Sequence, residues 1–269
     1  MKPLLEGELR PALPAGERGM EIHIFQEIDS TNNEAKRRLG ADCKLPALFL
    51  AERQSAGRGR QGRQFYSPAD AGLYMSLALK RPERAESAVS VTTMAAVAVC
   101  NAVEQVSGLR PGIKWTNDLV LSGKKLCGIL TEMSVEGETG MAESLVIGAG
   151  VNVNQSREDF GPEVAEIATS LTMEGYQVSR PALAAAMIGE FSRLSDSLGG
   201  NDAQWVDAYR RDCVTLGKPV KLLWTDHQTE AVALDVDDQF GLVVRFPNGA
   251  ETTVRTGEVS VRGMYGYVD

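Results

Sequence analysis

Between Glu52 and Gly72 the chain reads ERQSAGRGRQGRQFYSPADAG, and three arginines (Arg58, Arg60 and Arg63) alternate there with glycines. Glycine lets backbone N–H groups come close to a ligand, and arginine offers a planar fork that binds phosphate or carboxylate through two bonds. Such a segment can wrap an anion, and its glycines let it stay open until the anion arrives. The six residues GRGRQG also match the dinucleotide fingerprint G-x-G-x-x-G. That reading needs a strand, a glycine turn and then a helix whose N-terminus holds a pyrophosphate. The strand is present in ALFLAE, but the chain after Gly62 carries Pro68 and Gly72 and then a further strand, so the helix is missing. An RNA-binding Arg-Gly tract would need repeated runs, and this is one loop between strands. A plainly solvated surface loop stays open as the alternative at this level.

Other chemistries find less support. The only two histidines, His23 and His227, stand in separate regions, and His23 alternates with Ile22 and Ile24 in a strand pattern. A zinc site built on them is not expected, and no G-x-S-x-G elbow is present for a Ser-His-Asp triad. Cys43, Cys100, Cys127 and Cys213 form no C-x-x-C pair, which fits a reduced compartment and small core residues. The Asn154-Gln-Ser sequon carries no weight without secretion.

The elements that must position the loop can be read from periodicity. EIHIFQEI alternates as a strand, and DSTNNEAKRRLG supplies Ser30 and Thr31 as caps of a short helix. ALFLAE and LYMSLALK flank the loop as strands. ESAVSVTTMAAVAVCNAVEQVSG is apolar all round and predicts a buried helix. GIKWTNDLVLSGKKLCGILTEMSVEG predicts one hairpin turning at Ser122-Gly123, with Lys114 and Thr116 sharing a face and Trp115 turned to the core. ESLVIGAGVNVN is a strand, and RPALAAAMIGEFSRLSDSLGG and DAQWVDAYRRD are helices. From about Leu216, short β runs at near ten-residue spacing suggest a small barrel. The fold class is α+β, a mixed β-sheet with helices, divided into a loose lead-in (1–19), a main domain (20–214) and the barrel (215–269).

With 269 residues, a net charge of −8 and a pI of about 5.0, broad affinity for DNA or anionic membranes is not expected. No run reaches the roughly 18 apolar residues of a membrane span. The first residues lack a continuous apolar signal region, so a cytoplasmic location is expected.

Taken together, AERQSAGRGRQGRQFYSP resembles the central motif of the biotin protein ligases, and three further stretches agree in that family's order. These are DSTNNEAK upstream and KWTNDLVLSGKKLCGILTE and VIGAGVNVN downstream; ATSL (168–171) is similar as well. The resemblance spans about 22–262. It implies a class II aminoacyl-tRNA-synthetase-like catalytic domain with an SH3-like C-terminal barrel. It implies an enzyme that joins biotin to ATP, with Mg²⁺, to give biotinyl-5'-AMP. The biotinyl group then passes to one lysine of an apo biotin carboxyl carrier domain of a biotin-dependent carboxylase.

The same resemblance assigns residues. Ser30, Thr31 and Asn32 match a biotin-contacting segment, a role that can coexist with helix capping, and Gln54 matches a biotin-pocket glutamine. Arg58, Gly59 and Arg60 match the loop that covers the adenylate, Arg60 at the position of its key arginine. Lys114, Asn117 and Asp118 fall near the nucleotide, Asp118 as a candidate Mg²⁺ ligand. Lys125 matches the lysine between biotin carboxylate and phosphate. Two like charges there would otherwise repel by about 4 kcal/mol at about 4 Å and an effective dielectric of about 20. Gly128 would let biotin approach the backbone. Asn152 matches an adenylate-proximal asparagine, with a strand-end turn role as the open alternative.

Two positions depart from the family pattern. Thr116 stands where the family usually has proline. Phe65 stands where some relatives stack a tryptophan on adenine, and it keeps a ring of smaller area. Because the pattern begins near Ile22, no DNA-binding domain is expected, and a homodimer is an open possibility. Two rivals remain: a lipoate or octanoate transferase of the same superfamily, and a non-catalytic binder.

Overall fold

The computed structural model describes residues 4, 6–39, 44–79, 83–84, 88–135, 141–198, 203–224, 226–255 and 260–263. Its main sheet is built from β1 (Glu21–Ile28), β2 (Ala47–Gln54), β3 (Gly72–Leu79), β4 (Glu83–Arg84), β5 (Gly112–Lys114), β6 (Asp118–Leu121), β7 (Lys124–Val135) and β8 (Met141–Asn152). The strands lie in the order β1-β2-β3-β8-β7-β6-β5, with β4 paired to β8. β1 and β2 are parallel, joined through α2 (Thr31–Leu39), and every other pair is antiparallel. The mixed sheet agrees with the α+β reading, although its first unit is a β-α-β crossover, which that reading set aside.

Alternation along the strands sorts the two faces. Leu48 and Leu50 of β2, Met75 and Leu77 of β3 and Ile147 and Ala149 of β8 enter the main core. Beneath that face lie α3 (Ala88–Ser107), which packs on α4 (Arg180–Ser197) and on α5 (Ala203–Asp212). Ala47, Phe49, Ala78 and Val146 point the other way and pack with Ala35 of α2. Helix α2 covers only part of that second face. The rest is left for the site.

The apolar character of α3 also satisfies the length and composition of a membrane span over Val89–Ser107, but 67% of that window is buried inside the protein. Cys100, Cys127 and Cys213 are buried and free, as expected for core cysteines. Cys43 lies outside the described residues.

Two sequence expectations are corrected. The lead-in is not loose: Glu6–Ala12 forms α1, which packs on α4, and Leu4, Leu9 and Leu13 are buried. Pro11 falls in the last turn of α1, where it has no N–H to return to the carbonyl four residues earlier. The KWTND region is not one hairpin but three strands. Ser122 and Gly123 do turn, with φ of 51° and 74°, as a two-residue type I′ connection needs. A second reversal at residues 115–117, whose Trp115–Thr116 peptide bond is cis, separates β5 from β6. Trp115 is buried, as expected, and its Nε1 donates to the Phe240 carbonyl at 3.1 Å.

Phe240 lies in the turn between β10 and β11 of a second, antiparallel sheet of β9 (Pro219–Leu223), β10 (Gln228–Val236), β11 (Leu242–Arg245), β12 (Glu251–Val254) and β13 (Ser260–Gly263). Its order is β12-β11-β10-β9-β13, and the sheet is open among the described residues. The ring of Phe240 meets Tyr209 of α5 edge-on, with centroids 5.7 Å apart.

Among the described residues, one ion pair lies wholly inside. Glu52 of β2 and Arg180 at the start of α4 are each 2% exposed and 2.6 Å apart. Arg180 also donates to the Gly72 carbonyl, and the Leu4 amide donates to Glu52. Removing one partner strands the other charge out of water. Arg180→Met is expected to lower unfolding stability by about 3–5 kcal/mol in urea denaturation. Pairing it with Glu52→Leu should recover part of that loss.

Candidate functional site

The uncovered face of the sheet has a floor almost without side chains. Along β8 the residues facing it are Gly148 and Gly150, which pair with Ser76 and Tyr74 of β3 on one side and with Leu130 and Gly128 of β7 on the other. Gly128 in turn pairs with Asp118 of β6. A Cβ on Gly150 would fall 2.6 Å from the Phe65 ring, one on Gly148 would collide with the Asn32 carboxamide, and one on Gly128 would lie 3.2 Å from Lys125 Nζ. The missing side chains let Phe65, Asn32 and Lys125 come down close to the sheet, and a cleft of about 800 Å³ lies among them.

At the β3 end, the cleft is polar and uncharged. Ser30, Thr31 and Asn32 open α2 and are buried, because the helix N-terminus is tucked against the sheet. Gln54 Oε1 accepts from the Thr31 amide at 2.9 Å and lies 3.2 Å from Thr31 Oγ1, while Gln54 Nε2 donates to Ser67 Oγ at 2.9 Å. Ser76 Oγ lies 2.6 Å from Asn32 Oδ1 and 2.8 Å from Thr31 Oγ1. Donors and acceptors thus converge on a small space. A neutral head group with both kinds of hydrogen bond fits there.

The β5–β6 end is charged. Lys125 Nζ lies 2.7 Å from Asp118 Oδ1. Arg60, in the short 3₁₀ turn Arg60–Gly62, directs Nη1 to Thr116 Oγ1 and Asn117 Oδ1, both at 2.9 Å. Burial lowers the Arg60 guanidinium from its ordinary value and Asp118 opposes the effect; an arginine stays protonated at neutral pH regardless. Asn117 is itself fixed, since its Nδ2 donates to the Ile129 carbonyl at 2.8 Å. Lys114 is 8% exposed and lines the same end with Arg63. An anion entering here meets four cationic side chains in a partly dehydrated space, where charge interactions are strong.

Every site residue expected from the sequence lines the cleft except Thr31, which stands behind its wall holding Gln54 and Ser76. Arg58 lines it but turns its guanidinium sideways to Asn33 Oδ1 at 2.9 Å and Glu132 Oε1 at 3.1 Å. The Phe65 ring rests on the glycine floor and meets Tyr74 edge-on at 6.4 Å. Asn152 donates to the Thr169 carbonyl at 3.0 Å and accepts from Gln155 at 3.2 Å. Its amide therefore ties a strand end to the next segment, which favours the structural alternative. Sequence reasoning missed Ser76, Gly148, Gly150 and Glu132. A polar residue in the apolar run LYMSLALK and the period-two glycines of GAG were the available signals. It also missed Lys221 and Gln228, which the second sheet adds to the rim. No group of three His, Cys, Asp or Glu that could hold a metal occurs among the described residues.

The sequence and the mixed-sheet fold have known counterparts. Residues 24–152 match the family model "Biotin/lipoate A/B protein ligase family". Proteins the chain is similar to include biotin–[acetyl-CoA-carboxylase] ligases. It is 34% identical to the bifunctional ligase/repressor BirA of Bacillus spizizenii over 83% of this chain, and it spans 64% of that relative's length. It is 29% identical to the biotin–[acetyl-CoA-carboxylase] ligase of Mycobacterium tuberculosis over 96% of this chain and 95% of the relative. The fold matches the biotin protein ligase from Aquifex aeolicus in complex with biotin and ATP. The TM-score is 0.77 at 24% identity, covering 90% of this chain and 99% of that one.

Proposed function

We propose that this protein is a biotin–protein ligase. The observation that carries the reading is the polarity of the cleft along its glycine floor. Its uncharged, hydrogen-bonding end suits a ureido ring, the bare backbone suits an apolar stem, and the cationic end suits a carboxylate brought against a phosphate. A biotin carboxylate oxygen attacks the α-phosphorus of ATP, the bond to pyrophosphate breaks, and biotinyl-5'-AMP results. A lysine amine of an apo biotin carboxyl carrier domain then attacks the acyl carbon; the bond to AMP breaks and the amine loses its proton.

In this reading Ser30, Asn32 and Gln54 hold the ureido ring, Ser76 fixes Asn32, and Thr31 fixes Gln54. Gly128, Gly148 and Gly150 admit the stem. Lys125 and Arg60 screen the negative charge that gathers when carboxylate meets phosphate. Lys114 and Arg58 add charge at the phosphates, with Gly59 allowing the loop to close on them. Phe65 offers its ring to adenine. Mg²⁺ arrives with ATP as part of the substrate. It keeps several waters and needs only one or two protein carboxylates, and Asp118 is the carboxylate nearest the reacting groups. The same proposal includes the finer architecture, a synthetase-like domain over 20–214 and an SH3-like barrel over 215–269 that closes the rim through Lys221 and Gln228, and a cytoplasmic setting.

Gly148→Ala tests the polar end. Its methyl must displace Asn32, so biotin affinity is expected to fall about tenfold or more, the loss of one to two hydrogen bonds, read by titration calorimetry. The whole reading is tested by incubating the protein with biotin and α-labelled ATP, with and without an apo carrier domain. A biotin-dependent labelled adenylate that the carrier discharges to AMP is expected. Biotin binding without adenylate would sink the catalytic reading, and adenylate only with lipoate or octanoate would move the chain to the other branch of the family.

A further inference from the structure

Glu132 carries no role in the reaction described above, yet it stands behind the polar end of the cleft, between Asn32 and the start of the loop. It projects from β7 on the same face as Gly128 and Leu130, beside the N-terminal half of α2. Its Oε2 accepts from Asn32 Nδ2 at 3.0 Å, and its Oε1 accepts from Lys36 Nζ at 2.8 Å and from Arg58 Nη1 at 3.1 Å. Asn32 also donates to the neighbouring Leu130 carbonyl at 3.2 Å. Arg58 is fixed further by Asn33 Oδ1. The carboxylate side chain is 20% exposed, against 41% for each of its cationic partners.

The two oxygens therefore face different parts of the machinery. One holds an amide that forms the polar pocket, and the other holds the guanidinium that starts the glycine-arginine loop. We propose that Glu132 is a positioning residue that couples occupancy of the polar pocket to closure of the arginine loop. A head group that fixes Asn32 fixes Glu132, and Glu132 then fixes Arg58 and with it the path of Gly57–Arg63. Lys36 makes the coupling reversible. It keeps the carboxylate paired when Arg58 turns toward a phosphate, so that the arginine can leave without stranding a charge.

Burial alone would raise the Glu132 carboxyl, but hydrogen bonds from Lys36 and Asn32 outweigh it and hold it below the ordinary carboxylate range. It is thus ionised at neutral pH. The coupling is a matter of geometry and charge, not of titration.

The inference rests on the biotin-ligase reading, and its test separates the two. Biotin affinity is measured by calorimetry with and without a saturating non-hydrolysable ATP analogue, in the parent and in Glu132→Gln. Two bound ligands sharing an ordered loop should reinforce each other by a factor of about 5–150 in the parent. In Glu132→Gln the amide nitrogen faces Arg58 and Lys36, and that factor is expected to fall about fivefold or more toward unity, with thermal midpoint little changed. Arg58→Leu cuts the loop end of the same link and also removes a charge at the phosphates, so its coupling factor is read with the ATP analogue at saturation. It should lose the coupling to the same degree, and the double variant should lose no more. An undiminished coupling factor in either folded variant, or a parent factor of one, overturns the inference while adenylate formation by the parent keeps the functional reading intact. A parent that forms no adenylate at all overturns the functional reading instead. If Glu132→Gln fails to fold, Arg58→Leu alone decides.

Discussion

Replacing Lys125 by Ala is expected to slow biotin adenylation by about 10²–10³-fold, the range seen when one pre-placed group that stabilises developing charge is removed. The expectation follows from what surrounds the ammonium. Lys125 lies 2.7 Å from Asp118, which is 18% exposed, and next to the bare backbone of Gly128. Its main chain is held on both sides, since its N–H donates to the Ile167 carbonyl at 2.7 Å and its carbonyl accepts from Thr169 at 2.9 Å. The cation is therefore placed before substrate arrives, and little reorganisation is needed at the moment of reaction. Without it, a carboxylate and a phosphate must approach beside an Asp118 that has lost this partner, so the variant adds a repulsion as well as losing an attraction. Lys125→Arg should recover only part of the rate. Its charge is kept, but a broad planar fork replaces a compact ammonium in a space bounded by Phe65. Single-turnover formation of labelled adenylate measures both variants; a Lys125→Ala rate within threefold of the parent would remove Lys125 from its proposed role.

Much of this site was legible in the chain because its chemistry uses residues of distinctive type at short spacing. The arginine loop, KWTND and KKLCG each bring several contacts from one stretch of backbone, and alternation along a strand decides which of them face together. What stayed hidden depends on partners far apart in sequence. Ser76 acts across 44 residues on Asn32, and Glu132 across 74 on Arg58. No local pattern marks such a pair. The glycines of β8 were visible as letters, but their purpose appears only when Phe65 and Asn32 come down on top of them. The lead-in failed for a different reason. Its prolines and glycines argue for loop locally, whereas burial of Leu4, Leu9 and Leu13 against α4 outweighs that tendency, as tertiary packing commonly outweighs propensity. The single hairpin failed because a reversal at residues 115–117 carries neither glycine nor proline.

Arg60→Gly is expected to act on a later step than Lys125→Ala. Its guanidinium spans the gap between the loop and the β5–β6 turn, bonded to Thr116 and Asn117 across 56 and 57 residues of chain. A bound adenylate would lie beneath that span, so opening the loop requires Arg60 to release whatever it holds. A hydrogen bond from a charged group contributes about 1.5–3 kcal/mol, and each 1.36 kcal/mol is about tenfold in rate. Release of biotinyl-5'-AMP should therefore quicken by about 10–100-fold in the variant, and lysines of bystander proteins should become biotinylated by the escaped adenylate. Arg60→Lys separates the two contributions of the residue. A lysine supplies the charge, but its flexible stem ends one atom short of the Nη1 that bonds both Thr116 and Asn117, so it should bind ATP more nearly as the parent does and still leak. Filter-bound retention of labelled adenylate over time, followed by transfer to serum albumin, reads both effects. Unchanged retention in Arg60→Gly would mean that the loop does not cover the adenylate. Faster release in Arg60→Gly with parental retention in Arg60→Lys would mean that charge alone, and not the bridge to Thr116 and Asn117, keeps the intermediate in place.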